Sequence, residues 1–225
     1  MNQKTIINPR VAVIIPAYNE EKHIEEVLLE VRKYSHLIIV VDDGSCDRTA
    51  EIAKKHADVF LKHPINGGKG VALQTGFEYA FREGVDIVVT IDADLQHDAK
   101  EIPGFVEKME KEGVDILIGA RGLGNSAPFV YRFGNFVLNT TFRILYGQKI
   151  TDTQSGYRAF RMSKYPLFAW ASSGYDVETE MLTNARKHAL KLAEYPIATK
   201  YHNSYKGTTI FDGVKIFCKM LLWRI

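Results

Sequence analysis

Five short, almost purely apolar runs constrain this chain most. Residues 11–15, 37–41, 59–61, 86–91 and 115–119 each read as a strand. Segments with apolar residues at helical spacing lie between them. Runs without a polar face belong to strands buried on both sides, and strand–helix alternation is the pattern of a parallel sheet covered by helices on both faces. After the first run, Ile24, Val27, Leu28 and Val31 fall on one helical stripe, with Asn19 as the expected N-cap of a helix reaching about Tyr34. A second helix is expected up to about His56, and a third after the loop 66–70, up to about Glu83. Pro103 near a first turn and Gly113 at a last turn bracket the helix after the fourth run.

Past Arg121 the pattern changes. Residues 128–147 are aromatic and apolar, punctuated by Arg132 and Arg143, and residues 151–160 read as polar and turn-like. Residues 175–189 read as a helix, 192–199 as a strand, and 208–225 as a helix with apolar residues at 210, 211, 214, 217, 218, 221, 222 and 225. There is no linker, low-complexity tract or repeat, so one domain over residues 1–225 is expected. Its 46% hydrophobic residues suffice for a core. The net charge of +2 provides no basic field, so nucleic acid is not expected as a partner. Cys46 and Cys218 form neither a Cys-x-x-Cys pair nor a disulfide framework, which fits a reducing, cytoplasmic setting. Residues 1–10 are polar and lack the apolar stretch of a signal peptide. No uncharged apolar run reaches the roughly 18 residues of a spanning helix.

Parallel sheets bind ligands beyond the carboxyl ends of their strands. The polar clusters of this chain fall there: Tyr18-Asn19-Glu20, Asp42-Asp43, Asp92 with Asp94, and Arg121. Side chains alternate along a strand, so the carboxylates of Asp92-Ala93-Asp94 start on the same side. Two hard oxygen ligands at one spot suit Mg²⁺ or Mn²⁺, which complete their shells with water and substrate phosphates. The Gln96 amide oxygen is a further ligand of that kind. His97 is within reach too, against the plainer reading of a solvated residue at a helix start. Asp42 or Asp43 is suited to accept from a base N–H or ribose hydroxyls. Arg121 and Arg132 suit phosphates, with a rim charge on an amphipathic helix as the competing reading of Arg132. The chain has no Gly-x-Gly-x-x-Gly after its first strand, no Walker loop and no Gly-x-Ser-x-Gly elbow, which argues against a Rossmann dehydrogenase, a P-loop NTPase and a serine hydrolase.

Three stretches in this order and spacing, Val13-Ile14-Ile15-Pro16-Ala17-Tyr18-Asn19-Glu20, Val41-Asp42-Asp43-Gly44-Ser45-Cys46-Asp47-Arg48-Thr49 and Asp92-Ala93-Asp94-Leu95-Gln96-His97, closely resemble the family 2 glycosyltransferases of GT-A fold. Gly119-Ala120-Arg121, Tyr131-Arg132 and Thr151-Asp152-Thr153-Gln154-Ser155-Gly156-Tyr157-Arg158 are similar to the polyprenol-phosphate (dolichol-phosphate) hexose synthases among them. The resemblance spans roughly residues 10–215. It implies an α/β GT-A fold, with a nucleotide-sugar-binding half over residues 10–121 and an acceptor-binding half over 122–225. It implies that Pro16, Tyr18 and Glu20 line a nucleotide pocket with Val41 and Asp43, and that Lys69 contacts the nucleotide. Asp92, Ala93, Asp94 and Gln96 would form the metal and diphosphate site, and Arg121 and Arg132 would contact donor and acceptor phosphates. Mannosyl-transferring relatives carry Gly-Glu-Ser-Lys after the last strand. Here residues 200–207 stand in that place, with Lys200 and Lys206 as the basic residues.

The implied reaction is metal-dependent, inverting transfer of a hexose from UDP-glucose, UDP-GlcNAc or GDP-mannose to a polyprenyl phosphate. One alternative keeps the fold but uses a soluble glycan or other hydroxyl acceptor, with Asp152, Asp176 or Glu178 as candidate bases. An alternative of another class is a nucleotide-sugar-binding regulator without turnover. A lipid acceptor implies a peripheral place on the cytoplasmic face of a membrane. Residues 128–147, with Phe129, Phe133 and Phe136, and residues 208–225, with Trp223, would then be interfacial helices, against the alternative that they pack on the sheet.

Overall fold

The structure is a computed structural model that describes residues 9–35, 37–122, 129–198 and 210–224; for residues 129–133, 210 and 211 it describes the backbone only. The first half alternates as expected: β1 (Val11–Ala17), α1 (Ile24–Arg32), β2 (Ile38–Asp42), α2 (Thr49–His56), β3 (Val59–Lys62), α3 (Lys69–Arg82), β4 (Ile87–Thr90), α4 (Ile102–Glu112) and β5 (Ile116–Arg121). Then come α5 (Phe129–Tyr146), β6 (Arg158–Arg161), the short α6 (Tyr165–Phe168), α7 (Val177–Lys187), β7 (Leu192–Ile197) and α8 (Ile210–Arg224).

The seven strands form one sheet in the order β3-β2-β1-β4-β6-β5-β7. β1 pairs in parallel with β2 and β4, β2 with β3, and β5 with β7. The apolar runs are buried on both faces, and alternate residues serve opposite cores. Ala12, Ile14, Ile39, Val41 and Val88 pack under α3 and the C-terminal helices. Val13, Ile15, Ile38, Val40 and Val89 pack under α1 and α4. As expected, Pro103 lies in the first turn of α4, and Gly113 ends that helix in the left-handed region at φ 61°.

The structure differs from the expected pattern in three places. Residues 158–160, the end of the stretch read as turn-like, form β6 together with Arg161; this strand is antiparallel and sits between β4 and β5. Arg158 hid this strand, because an arginine breaks an apolar run. It is 1% exposed, and its guanidinium donates to the carbonyls of Thr153, Ser155 and Glu178 at 2.8, 2.7 and 2.6 Å. Burial pushes its pKa down to about 10. Second, α1 begins at Ile24, five residues after its expected cap; Asn19 has φ 54° and serves a loop instead. Third, those apolar positions noted in α8 whose side chains are described, 214, 217, 218, 221 and 222, face outward. Val214, Phe217, Leu221 and Leu222 are exposed, while Ile216 and Met220 enter the core and Trp223 packs against it.

Candidate active site

The strand order reverses at β1, with β2 and β3 on one side and β4 on the other. Open α/β sheets bind ligands outside the carboxyl ends of their strands at such a point. A cavity of about 560 Å³ lies there. The end of β1 contributes Pro16, Tyr18 and Glu20, and the segment after β4 contributes Asp92, Ala93 and Asp94. Asp43 after β2 and Lys69 at the start of α3 line it as well, and Gly174 and Tyr175 close it from the segment before α7.

Local contacts set this shape. The Asn19 side-chain oxygen accepts from the Cys46 N–H at 2.9 Å, and its own N–H donates to the Ser45 hydroxyl at 2.9 Å. The Glu20 N–H donates to the Thr49 hydroxyl at 2.7 Å. Asn tolerates the left-handed conformation that this requires, so the β1 exit is tied to the Asp-Gly-Ser loop. Asp43 is 3% exposed and accepts from the Gly67 and Gly68 N–H groups at 2.9 and 2.8 Å, with His63 Nδ1 2.7 Å away. Read as a base or ribose acceptor, it spends these acceptor positions holding the glycine loop. Gly68 (φ 96°) and Gly70 let that loop meet residues 172–173: a Cβ would come within 2.4 Å of the Ser173 carbonyl oxygen and 2.1 Å of the Ser172 one.

Lys69 is the electrostatic centre of the pocket. Its ammonium lies 2.7 Å from Asp92 Oδ1 and 2.9 Å from Glu178 Oε1. Burial opposes the Lys69 charge, but Asp92 and Glu178 outweigh it and raise its pKa. Burial also pushes Asp92 up, and there the Lys69 charge prevails and holds the carboxyl below its ordinary range. Asp94 goes the other way: burial, then the Asp92 charge, push it up to about 6. The Gln96 N–H donates to Asp94 Oδ1 at 3.0 Å across Leu95, whose φ of 62° is rare for a leucine and costs about 1–3 kcal/mol. Gly156 closes in from the other side; a Cβ there would sit 2.7 Å from both Asp92 Oδ2 and Lys69 Nζ.

Several expected site residues stand elsewhere. The Val41 side chain is fully buried in the core under α3, because β2 turns it to the covered face. Gln96 is buried outside the pocket lining. His97 is a buried side chain rather than a solvated one: its ring centre lies 5.1 Å from that of Tyr157 with the planes tilted by 42°, its Nε2 is 4.0 Å from Asp92, and burial pushes its pKa down to about 4. Arg121 does not line the pocket. Its Nε and Nη2 make a bidentate pair with Asp152 at 2.6 and 2.8 Å, and the fully buried Asp152 needs that counter-charge. Arg132 lies on α5 with its side chain outside the described residues, and Lys200 and Lys206 lie outside them altogether. Tyr175, Gly174, Gly156 and Leu95 went unread as site residues. Tyr175 looked like the start of a helix, and only the strand–loop juxtaposition reveals the others.

Among the described residues, no three His, Cys, Asp or Glu side chains cluster as a self-sufficient metal centre. Asp92 and Asp94 offer carboxylate oxygens on one pocket wall, and Lys69 shows that a positive charge is stable against Asp92. That donor set fits a hard divalent cation sharing its ligands with a diphosphate.

The geometry agrees with known proteins. The profile described as Glycosyl transferase family 2 matches residues 12–166. A UDP-N-acetylglucosamine–dolichyl-phosphate N-acetylglucosaminyltransferase of Methanococcus voltae is 32% identical, covering 95% of this chain and 95% of its own. A polyprenol monophosphomannose synthase of Mycolicibacterium smegmatis is 32% identical over 84% of this chain and 76% of its own. In structure, glucosyl-3-phosphoglycerate synthase from Mycobacterium tuberculosis, crystallised with Mn²⁺, UDP and phosphoglyceric acid, aligns with a TM-score of 0.79 at 22% identity, over 96% of this chain and 78% of that one, and shows the GT-A fold. With a pocket at the sheet's switch point, an Asp-x-Asp wall and a family profile over most of its length, this chain belongs to glycosyl transferase family 2 and is a glycosyltransferase.

Proposed function

We propose that the enzyme transfers a hexose from a nucleoside diphosphate sugar to a polyprenyl phosphate, with inversion. The observation that carries this reading is the state of the three candidate bases. Asp152 is bound by Arg121, Glu178 lies 2.9 Å from Lys69, and Asp176 is paired with Lys219. A hydroxyl acceptor needs a base for its proton. A phosphate monoester, with its second pKa near about 6, is already ionised. The two relatives named for dolichyl and polyprenol phosphate support the same acceptor.

In this reading Pro16, Tyr18 and Glu20 receive the nucleoside, and Asp92 and Asp94 would hold Mg²⁺ or Mn²⁺ beside its diphosphate. The cation, when bound, stabilises the charge that grows on the leaving group. Lys69 adds a fixed positive charge at the same place. An acceptor phosphate oxygen bonds to the anomeric carbon from the face opposite the breaking bond to the nucleoside diphosphate. Arg132, Lys200 and Lys206 are proposed to neutralise the acceptor phosphate, while Arg121 holds Asp152. The lipid is proposed to be reached from the cytoplasmic face of a membrane. Among the described residues no helix is long and apolar enough to span one. Helices α5 and α8 pack together and expose Phe136, Ile144 and Leu222, side chains suited to a bilayer interface.

A panel of UDP- and GDP-sugars with short polyprenyl phosphate and Mn²⁺, read by mass spectrometry, tests this. One donor should yield a polyprenyl phosphosugar, and excess chelator should stop the reaction. Nucleotide binding without turnover of any donor would favour a regulator.

A further inference from the structure

The pocket wall at Gly174 and Tyr175 is held from the C-terminal helix. Ser172 precedes this wall; its hydroxyl donates to Asp176 Oδ2 at 2.7 Å, and its N–H donates to Glu180 at 2.9 Å. Asp176 is 3% exposed, and Lys219 of α8 donates to the same Oδ2 while lying 3.4 Å from the Ser172 hydroxyl. Among the described residues Lys215 is a second cation near Asp176, 3.9 Å away and more than half exposed. The Lys219 ammonium also sits 5.7 Å from the centre of the Trp223 ring, which helps fix it. On the pocket side, the Ser173 carbonyl accepts from the Gly70 N–H at 2.7 Å, next to Lys69. A short chain of contacts therefore runs from α8 through Asp176 and residues 172–173 to the Lys69 loop.

A buried carboxylate is stable only while paired and hydrogen-bonded. Without Lys219, Asp176 is drawn toward water and gives up its hold on Ser172. We propose that Lys219 is a positioning residue for the donor pocket: through Asp176 and Ser172 it fixes the wall that Gly174 and Tyr175 present to the nucleotide. The proposal rests on the reading of this pocket as the donor site. It ties the helix with the exposed apolar face to nucleotide binding.

Calorimetric titration of UDP and GDP with Mn²⁺ tests it without any acceptor. Wild type should bind one of them. Lys219→Met should weaken binding about tenfold, as expected for a misplaced contact wall, with melting temperature and circular dichroism retained. Lys219→Arg should restore most of the affinity, and Lys219→Met should cost nothing more in an Asp176→Asn background. Ser172→Ala, the mildest change, should also weaken binding, and it decides the matter if Lys219→Met does not fold. Wild-type affinity in both Lys219→Met and Ser172→Ala overturns the proposal, as does a Lys219→Met loss that Arg does not restore and that adds to that of Asp176→Asn. Wild type that binds neither nucleotide overturns the donor-site reading itself.

Discussion

Asp94 is ionised at neutral pH against two penalties, its own burial and the charge of Asp92. Its pKa of about 6 lies above the ordinary 3.8, so the folded state holds the proton more tightly than the unfolded chain. The penalty is therefore absent below about pH 4 and fully present above about pH 6. In chelator at pH 8, Asp94→Asn should raise the melting temperature by about 2–4 °C, and the gain should vanish as the pH falls from 6 to 4. The same variant should lose metal-dependent nucleotide binding. An unchanged or lower melting temperature at pH 8 would contradict this account of the site. His97 has the opposite sign: its pKa of about 4, below the ordinary 6.5, removes stability as the pH falls through that interval. At this scale the sequence revealed the residue types of the pocket through their place after strands. It did not reveal their partners. Arg121 looked available for phosphate because nothing in the chain announces that Asp152, 31 residues later, is fully buried beside it.

At the scale of elements, the apolar runs and turn residues made β1 to β5 legible, since strands covered on both faces leave no polar alternation. β6 was not legible. It has four residues, an arginine at each end, and a buried Arg158 satisfied by three carbonyls that only the fold brings together. For α8, the apolar positions read from the sequence do not include the two that enter the core, Ile216 and Met220. One face of each helix packs in the core through Leu138, Phe142, Ile216 and Met220, while Val214, Leu221 and Leu222 on α8 and Phe136 and Ile144 on the adjoining α5 are exposed, the face proposed above to meet a bilayer. The side chains of Phe129 and Phe133 lie outside the described residues, so Ile144 and Leu222 make the better probe. Replacing both with Ser should cut sedimentation with anionic liposomes severalfold and leave the melting temperature in place. Equal sedimentation of variant and wild type would remove the membrane role from this face.

At the scale of the whole molecule, the described residues place a pocket where the strand order reverses and an exposed apolar face on α5 and α8, with the 172–176 segment joining the pocket to α8. Such an arrangement suits a donor that arrives from water and an acceptor that stays in a membrane. The net charge of +2 gives only a weak general attraction to anionic lipid, so the proposed membrane contact rests on the apolar face. The central claim is that the acceptor brings its own charge, because the candidate bases are already ion-paired. The most direct measurement compares a short polyprenyl phosphate with the matching polyprenol, at saturating donor and Mn²⁺, by mass spectrometry of the products. The account predicts sugar on the phosphate and none on the alcohol. Transfer to the alcohol at a comparable rate would contradict it.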